Sequence, residues 1–318
     1  MKSRSKDTDI SVIIPTYNCA GYIGLAIESV LAQSQSVREL LVIDDGSIDN
    51  TAEVVGKHAK NKKVKYIKKE NGGQASARRY GVQNASGRYV AFLDADDVWE
   101  PRKIERQMEV LDDPQNHICF TEVSGIDEEG NPVKFEHVKG QTLRRGRVVD
   151  YLYVNNFVPH SSLVVEKKYI EQVGSFDESL RMGDDWDIVL RLSTCLDFEY
   201  VPQKLVRYRI RRNQLSRNFE QRIADQDRIV EKFKREYPQY LTTVLIRRGN
   251  AFRARNRGYH YAQCDLRKAL YFYTKAVTND PLNILNYRGI ARSLVYGGLR
   301  AAARNYLFAN RFQAGQNG

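Results

Sequence analysis

The chain has 318 residues, 42% of them apolar and 10% aromatic, with only eight prolines, which permits a substantial core and excludes a disordered chain. No apolar run approaches the roughly 18 residues of a membrane span, and the first nine residues carry no apolar signal core, so the expected address is the cytoplasm. Cys19, Cys119, Cys195 and Cys264 form no CxxC pair, against both a disulfide framework and a zinc site, and the net charge of +11 is uneven: residues 1–200 carry 26 basic against 32 acidic side chains, residues 201–318 carry 24 against 7.

The first 110 residues alternate strand and helix patterns. Residues 10–14 read as a buried strand, and Ile23, Ile27, Val30 and Leu31 then recur at the spacing of one helix face. Residues 40–43 form a second strand, 51–59 a short helix, 64–67 a third strand, 75–85 a helix and 89–93 a fourth strand, and Pro101 opens another helix. This alternation predicts right-handed βαβ units and an α/β fold, a mainly parallel sheet with helices on both faces. The pattern then loosens. Residues 119–123 and 133–136 flank Glu129-Gly130-Asn131 as a hairpin, 161–165 is a strand, 167–173 a helix ending at Gly174, and 185–195 a helix.

From about residue 216 the chain reads as helical, with breaks at Pro238, Gly258, Pro281 and Gly297. The expected division is a catalytic domain over 1–215 and a basic α-helical C-terminal region over 216–318. Within that region Leu266, Ala269, Tyr273, Ala276 and Pro281 have the spacing of the second helix of a tetratricopeptide repeat, and Ala291 that of the next start. The first helix fits poorly, since Arg253, Asn256 and Arg257 stand where small or apolar residues belong. A single helical hairpin, packed on the catalytic domain or on another subunit of a homo-oligomer, is expected rather than an array. The tail's charge points to an anionic partner such as a membrane surface, or else to a solvated helical face.

Each polar cluster of the first half follows a strand: Pro15-Thr16-Tyr17-Asn18, Asp44-Asp45-Gly46-Ser47, Glu70-Asn71-Gly72-Gly73 and Asp94-Ala95-Asp96-Asp97. In an open parallel sheet ligands bind outside the carboxyl ends of the strands, so these four loops should surround one crevice. Neither GxGxxG nor GxxxxGK[ST] is present, which removes dinucleotide-binding turns and P-loops. Asp94-Ala95-Asp96 instead offers hard oxygen ligands two residues apart, suited to Mg2+ or Mn2+ held between protein and phosphates.

Ile13-Ile14-Pro15-Thr16-Tyr17-Asn18, Ile43-Asp44-Asp45-Gly46-Ser47, Asn71-Gly72-Gly73 with Ala77-Arg78, Phe92-Leu93-Asp94-Ala95-Asp96-Asp97 and Gly183-Asp184-Asp185-Trp186 stand in the order and spacing of family 2 glycosyltransferases, which the chain resembles over about residues 9–210. The resemblance implies the GT-A fold, a nucleotide-sugar donor, a divalent metal and inversion at the sugar carbon. It places Pro15, Thr16, Tyr17, Asn18, Asn71, Gly73 and Ala95 around the donor, gives the uracil imide to Asp44 or Asp45, sets Arg78 near base and diphosphate, Asp94 on ribose or sugar, and Asp96 on the metal. Asp185 would be the general base, with Asp184 in place of the customary Glu. A helix N-cap is the alternative for Asp185. Trp99 and Trp186 are either sugar-stacking or packing residues, and His160 is read as structural. Residues 207–212 depart from the family, which often has a histidine after Tyr-Arg; Arg211 or Arg212 faces the diphosphate, or the segment is a solvated edge strand.

The resulting expectation is a cytoplasmic hexosyl- or N-acetylhexosaminyltransferase that uses a UDP-sugar and a saccharide or lipid-linked saccharide acceptor in surface-glycan biosynthesis. Residues 120–185 would meet the acceptor, and the basic tail would bring peripheral contact with an anionic membrane. A GT-A domain retired to nucleotide-sugar or glycan binding is the rival reading. A sugar nucleotidyltransferase lacks its glycine-rich loop here, and a nucleic-acid partner is not expected, because the tail tyrosines suit helix packing. The QxxRW of processive relatives is absent, Gln214-Leu215-Ser216-Arg217 being followed by Asn218.

Overall fold

The computed structural model describes residues 8–135, 143–212, 214 and 218–291. In chain order the elements are β1 (Ile10–Thr16), α1 (Ile23–Leu31), β2 (Glu39–Asp44), α2 (Thr51–Gly56), β3 (Val64–Lys68), α3 (Gln74–Asn84), β4 (Tyr89–Phe92), β5 (Val98–Trp99), α4 (Lys103–Leu111), β6 (Ile118–Ile126), β7 (Pro132–Val133), α5 (Val149–Val154), β8 (Val164–Glu166), α6 (Lys167–Gln172), α7 (Asp184–Leu192), β9 (Glu199–Arg209), α8 (Phe219–Glu236), α9 (Thr243–Tyr261) and α10 (Leu266–Asn279). The strands form one mixed sheet in the order β3-β2-β1-β4-β8-β6-β9-β5, with β7 paired to β6.

The first four strands are parallel, in registers that bring Thr16 beside Asp44 and Asp44 beside Lys68 at their carboxyl ends. β1 and β2 are buried throughout, as expected of apolar strands covered on both faces. β8 then pairs antiparallel with β4 and with β6, while β6 and β9 run parallel. This mixed half was the least regular in pattern because its strands are short or bulged: β9 shifts register against β6 between Thr121 and Val123.

Several expectations change. β9, eleven residues long, lies between β6 and β5, so residues 207–209 end an interior strand rather than an edge. Residues 160–162 form a 3-10 turn ahead of β8, and the helix expected from Pro101 begins at Lys103. Gly125 and Ile126 of β6 pair with Val133 and Pro132, which makes the expected hairpin, with its turn at 127–131; residues 136–142 lie outside the described part.

The chain divides into two compact units, residues 1–152 with 156–238 and residues 153–155 with 239–318. The first therefore runs past the expected boundary at 215. α8 belongs to it because Lys232 reaches Asp177 at 2.6 Å and the Asp225 carboxylate accepts the Met182 N–H at 3.0 Å. In the second unit α9 and α10 form a helical hairpin burying Ala269, Tyr273 and Ala276. Gly258 is no break; it lies inside α9, where a Cβ would come within 2.8 Å of the Tyr273 ring. A glycine there costs helix propensity but lets the aromatic ring lie against the backbone. Gly297 and the Gln214–Arg217 motif, apart from Gln214 itself, fall outside the described residues.

Candidate active site

The loops after the first three strands are joined by side chain to backbone hydrogen bonds. Asn18, at a left-handed φ of 49° that asparagine tolerates, donates its N–H to Ser47 Oγ, and its Oδ1 accepts the Ile48 N–H, both at 2.9 Å. Asp45 reaches the third loop, accepting the Gly72 and Gly73 N–H groups at 2.9 and 2.7 Å and pairing with Lys69 at 2.7 Å. Asp44 accepts the Ser47 N–H at 2.7 Å and the Tyr66 hydroxyl. Both aspartates expected to meet the base thus also hold the loops together; Asp44 has no exposure and Asp45 has 3%. Asn71 donates its side-chain amide to the Asp45 carbonyl at 2.8 Å. At the mouth, Tyr17 is half exposed, whereas the Thr16 hydroxyl is buried without a hydrogen-bond partner among the described residues.

Arg78, in α3, joins the fourth loop to the chain near residue 184. It is 2% exposed and donates to Asp94 Oδ1 and Asp184 Oδ2, both at 2.7 Å. The two carboxylates hold its guanidinium well above the ordinary arginine range despite burial. A separation of 106 residues between Arg78 and Asp184 is closed by this one buried pair. It explains why a carboxylate is present at 184: the side chain neutralises Arg78 from inside.

Asp185 opens onto this cluster from the first turn of α7. Gly183 is the helix N-cap, at a φ of 76°, so Asp185 is not the N-cap the alternative reading required. The residue is half-buried, and its carboxylate accepts the Asn156 amide at 3.1 Å. Burial, then Asp184 and Asp94, push it up to about 6, against the opposing pull of Arg78. A carboxylate poised there is ionised at neutral pH yet basic enough to take a proton in a transition state.

The fourth loop holds three carboxylates in different states. Asp94 keeps 27% of its side chain exposed, and its N–H donates to Ser161 Oγ at 3.1 Å. Asp96 pairs with Arg211 at 2.7 Å and is pushed up by burial and by Asp94. Asp97 is buried, accepting the Ser161 hydroxyl and the Arg209 N–H at 2.5 and 2.9 Å; burial, then Asp96 and Asp94, raise it well above the carboxylate range. Ala95 is buried between them. Arg209 itself spans the Asp96 carbonyl and those of Asp127 and Glu128, and Arg209 and Arg211 both lie over the Tyr22 ring, at 4.9 and 5.3 Å.

Among the described residues no group of three His, Cys, Asp or Glu side chains is arranged to hold a metal. The donor set nevertheless fits a divalent ion shared with phosphates. Asp96 is a hard oxygen ligand and retains 15% side-chain exposure, while the local carboxylates outnumber the two guanidiniums that pair with them.

Both tryptophans take the packing alternative. Trp99 is 1% exposed and donates to the Ser161 carbonyl, and Trp186 is 5% exposed and donates to the Leu152 carbonyl, both at 2.7 Å. Neither ring has a face left for a sugar. His160 is buried against Phe92, at 4.6 Å between centroids, and burial, then Arg78, hold it well below the usual histidine range. The Arg212 backbone N–H donates to the Glu128 carboxylate at 2.7 Å. Sequence reasoning missed Ser161, Arg209, Lys69, Tyr66 and Asn156. Lys69, Tyr66 and Asn156 sit in no motif, Arg209 is the arginine of the Tyr-Arg pair in segment 207–212, and Ser161 had only its place at the start of the expected strand 161–165 as a signal.

A mixed sheet whose first four strands end in one stitched crevice, with a DxD segment after the fourth, is the GT-A fold. Residues 11–174 match the family described as Glycosyl transferase family 2, and the chain belongs to that family. An uncharacterized glycosyltransferase of Rickettsia conorii is 30% identical over 86% of this chain and 46% of its own length. TuaG of Bacillus subtilis, a putative teichuronic acid biosynthesis glycosyltransferase, is 39% identical over 40% of this chain and 52% of its own. The chain spans about half the length of these relatives. Among solved structures, mannosyltransferase PcManGT from Pyrobaculum calidifontis, in complex with GDP-Man and Mn2+, superposes with a TM-score of 0.65 at 18% identity, over 92% of this chain and 80% of its own. S. aureus TarS 1-349 in complex with UDP-GlcNAc gives 0.57 at 17% identity, over 86% and 92%. At such identities the likeness is one of fold. No described helix is long and apolar enough to cross a membrane.

Proposed function

We propose that the protein transfers one hexose or N-acetylhexosamine at a time, with inversion, from a UDP-sugar to a saccharide or lipid-linked saccharide acceptor of a surface glycan. The observation that carries the reading is Asp185, partly exposed, pushed up to about 6 and set beside the Arg78–Asp94–Asp184 cluster. A base needs that combination of access and affinity. Family membership, the UDP-GlcNAc of TarS and the teichuronic acid role given to TuaG support the donor and pathway class.

In this reading the loop 15–18 and the Asp45-pinned loop 71–73 line the nucleoside pocket. Arg78, fixed by two carboxylates, orients Asp94 toward ribose or sugar. Asp96 would hold Mn2+ or Mg2+, and the bound ion would neutralise charge on the leaving diphosphate. Asp185 takes the proton of the acceptor hydroxyl as the oxygen attacks the anomeric carbon from the face opposite the nucleotide. The basic tail would hold the enzyme at an anionic membrane surface.

The test is Asp185→Asn, which keeps size and hydrogen-bonding outline but removes the proton acceptor. Transfer should fall on the order of 10² to 10⁴-fold while UDP affinity stays within a factor of a few. Near-normal transfer would sink the base assignment, and loss of UDP binding as well would move Asp185 to the donor pocket.

A further inference from the structure

We infer that Asn156 is a positioning residue for Asp185, fixing one oxygen of the carboxylate through its side-chain amide so that the other stays available to an acceptor hydroxyl. The inference rests on Asp185 being the base.

The amide has one orientation. Its Oδ1 accepts the Val158 N–H at 3.0 Å, so its Nδ2 is the atom that meets Asp185 Oδ2 at 3.1 Å. A planar amide whose oxygen is engaged by the backbone can only donate on its other side. Among the described residues no other side chain donates to the Asp185 carboxylate. Asn156 is itself held by its two C-terminal neighbours: Phe157 and Val158 are each 1% exposed, and Phe157 lies 5.9 Å from the Phe120 ring. The segment then reaches Ser161, which accepts the Asp94 N–H and donates to Asp97. One short stretch of chain therefore touches the base at residue 156 and the DxD loop at residue 161. It sets the acceptor side of the site against the donor side.

The charges that bear on Asp185 come from Asp184 on its own helix, Arg78 on α3 and Asp94 after β4. Of these only Arg78 favours the ionised form, and it is already shared by two other carboxylates. The Asn156 amide is a neutral donor that acts beside the Trp186 backbone N–H, since a hydrogen bond to the charged form favours it.

Two variants separate positioning from a merely structural role. Asn156→Asp keeps an acceptor for the Val158 N–H, so a structural role would leave catalysis unchanged. It replaces the donor to Asp185 with a second carboxylate, so a positioning role predicts that the acid limb of the kcat/KM profile rises by at least one pH unit. Asn156→Ala removes the donor without adding charge; its acid limb should rise less, and kcat at pH 7.5 should fall on the order of tenfold. UDP affinity should stay at the wild-type value in both. An acid limb at the wild-type position in both variants overturns the inference. Asp185→Asn measured alongside separates the two failures: if it abolishes transfer while the Asn156 variants keep their profile, only the positioning role is lost.

Discussion

Asp184 and Arg78 form one buried ion pair, yet neutralising either partner should move the pH profile of transfer in opposite directions. Asp185 stands at about 6 against an ordinary 3.8, so burial, Asp184 and Asp94 together outweigh Arg78 by roughly 2 pH units, about 3 kcal/mol at 1.36 kcal/mol per unit. Asp184→Asn removes a like charge while burial, the larger cause, persists; the acid limb of kcat/KM should fall by about one unit. Arg78→Met removes the opposing cation, and the limb should rise by a similar amount. Stability separates the two as well. Arg78→Met leaves Asp184, 1% exposed, as an unpaired buried carboxylate, a loss of about 3–5 kcal/mol. Asp184 in that variant would have a folded pKa above its unfolded one, so the folded state binds the extra proton and the loss should shrink as pH falls toward 4. Asp184→Asn leaves Arg78 its bond to Asp94 and should lose less. Initial rates between pH 5 and 8 and urea unfolding at two pH values measure both effects. Acid limbs that move the same way in the two variants, or not at all, would refute the electrostatic account.

Asp96→Ala should weaken UDP binding in the presence of Mn2+ and reduce transfer, with EDTA reproducing the loss on the wild type; full-rate transfer in EDTA removes the metal from the reaction. Arg211 competes for the Asp96 carboxylate at 2.7 Å, so Arg211→Ala should bind Mn2+ more tightly than wild type in the absence of nucleotide, and calorimetry showing equal or weaker binding would contradict that competition. Lys103 is fully buried, donating to Gln107 at 2.6 Å and lying 4.0 Å above the Trp99 ring, and burial lowers it from 10.5 to about 7. Between those values the unfolded chain holds a proton the folded one lacks, so wild-type stability should rise with pH there, by at most about 1.4 kcal/mol per pH unit. Lys103→Met should flatten that slope, and an unchanged slope in denaturant unfolding would place the ammonium in contact with water.

The parallel half of the fold was legible in the sequence because its signals are local. Apolar runs such as 10–14 and 40–43 are long enough to read as buried strands, and each ends in a polar cluster, so strand order alone placed Thr16, Asp45, Gly73 and Asp94 around one crevice. The mixed half was not, since β5 has two residues, β7 two and β8 three, too few for a period to appear, and β9 is interrupted by a register shift. The carboxylates were also visible as motifs, but not their states. Asp94, Asp96 and Asp97 stand within four residues of one another, and nothing local tells that the first pairs with Arg78, the second with Arg211 and the third is buried against Ser161 and the Arg209 backbone. Those assignments depend on partners 16 to 115 residues away along the chain. Likewise a tryptophan beside a catalytic motif is equally a sugar platform or a core residue until its exposure is known. The sequence determined which chemical groups line the site; tertiary contacts decided which are charged, which are reachable and which hold the others in place, because desolvation and ion pairing are set by neighbours in space.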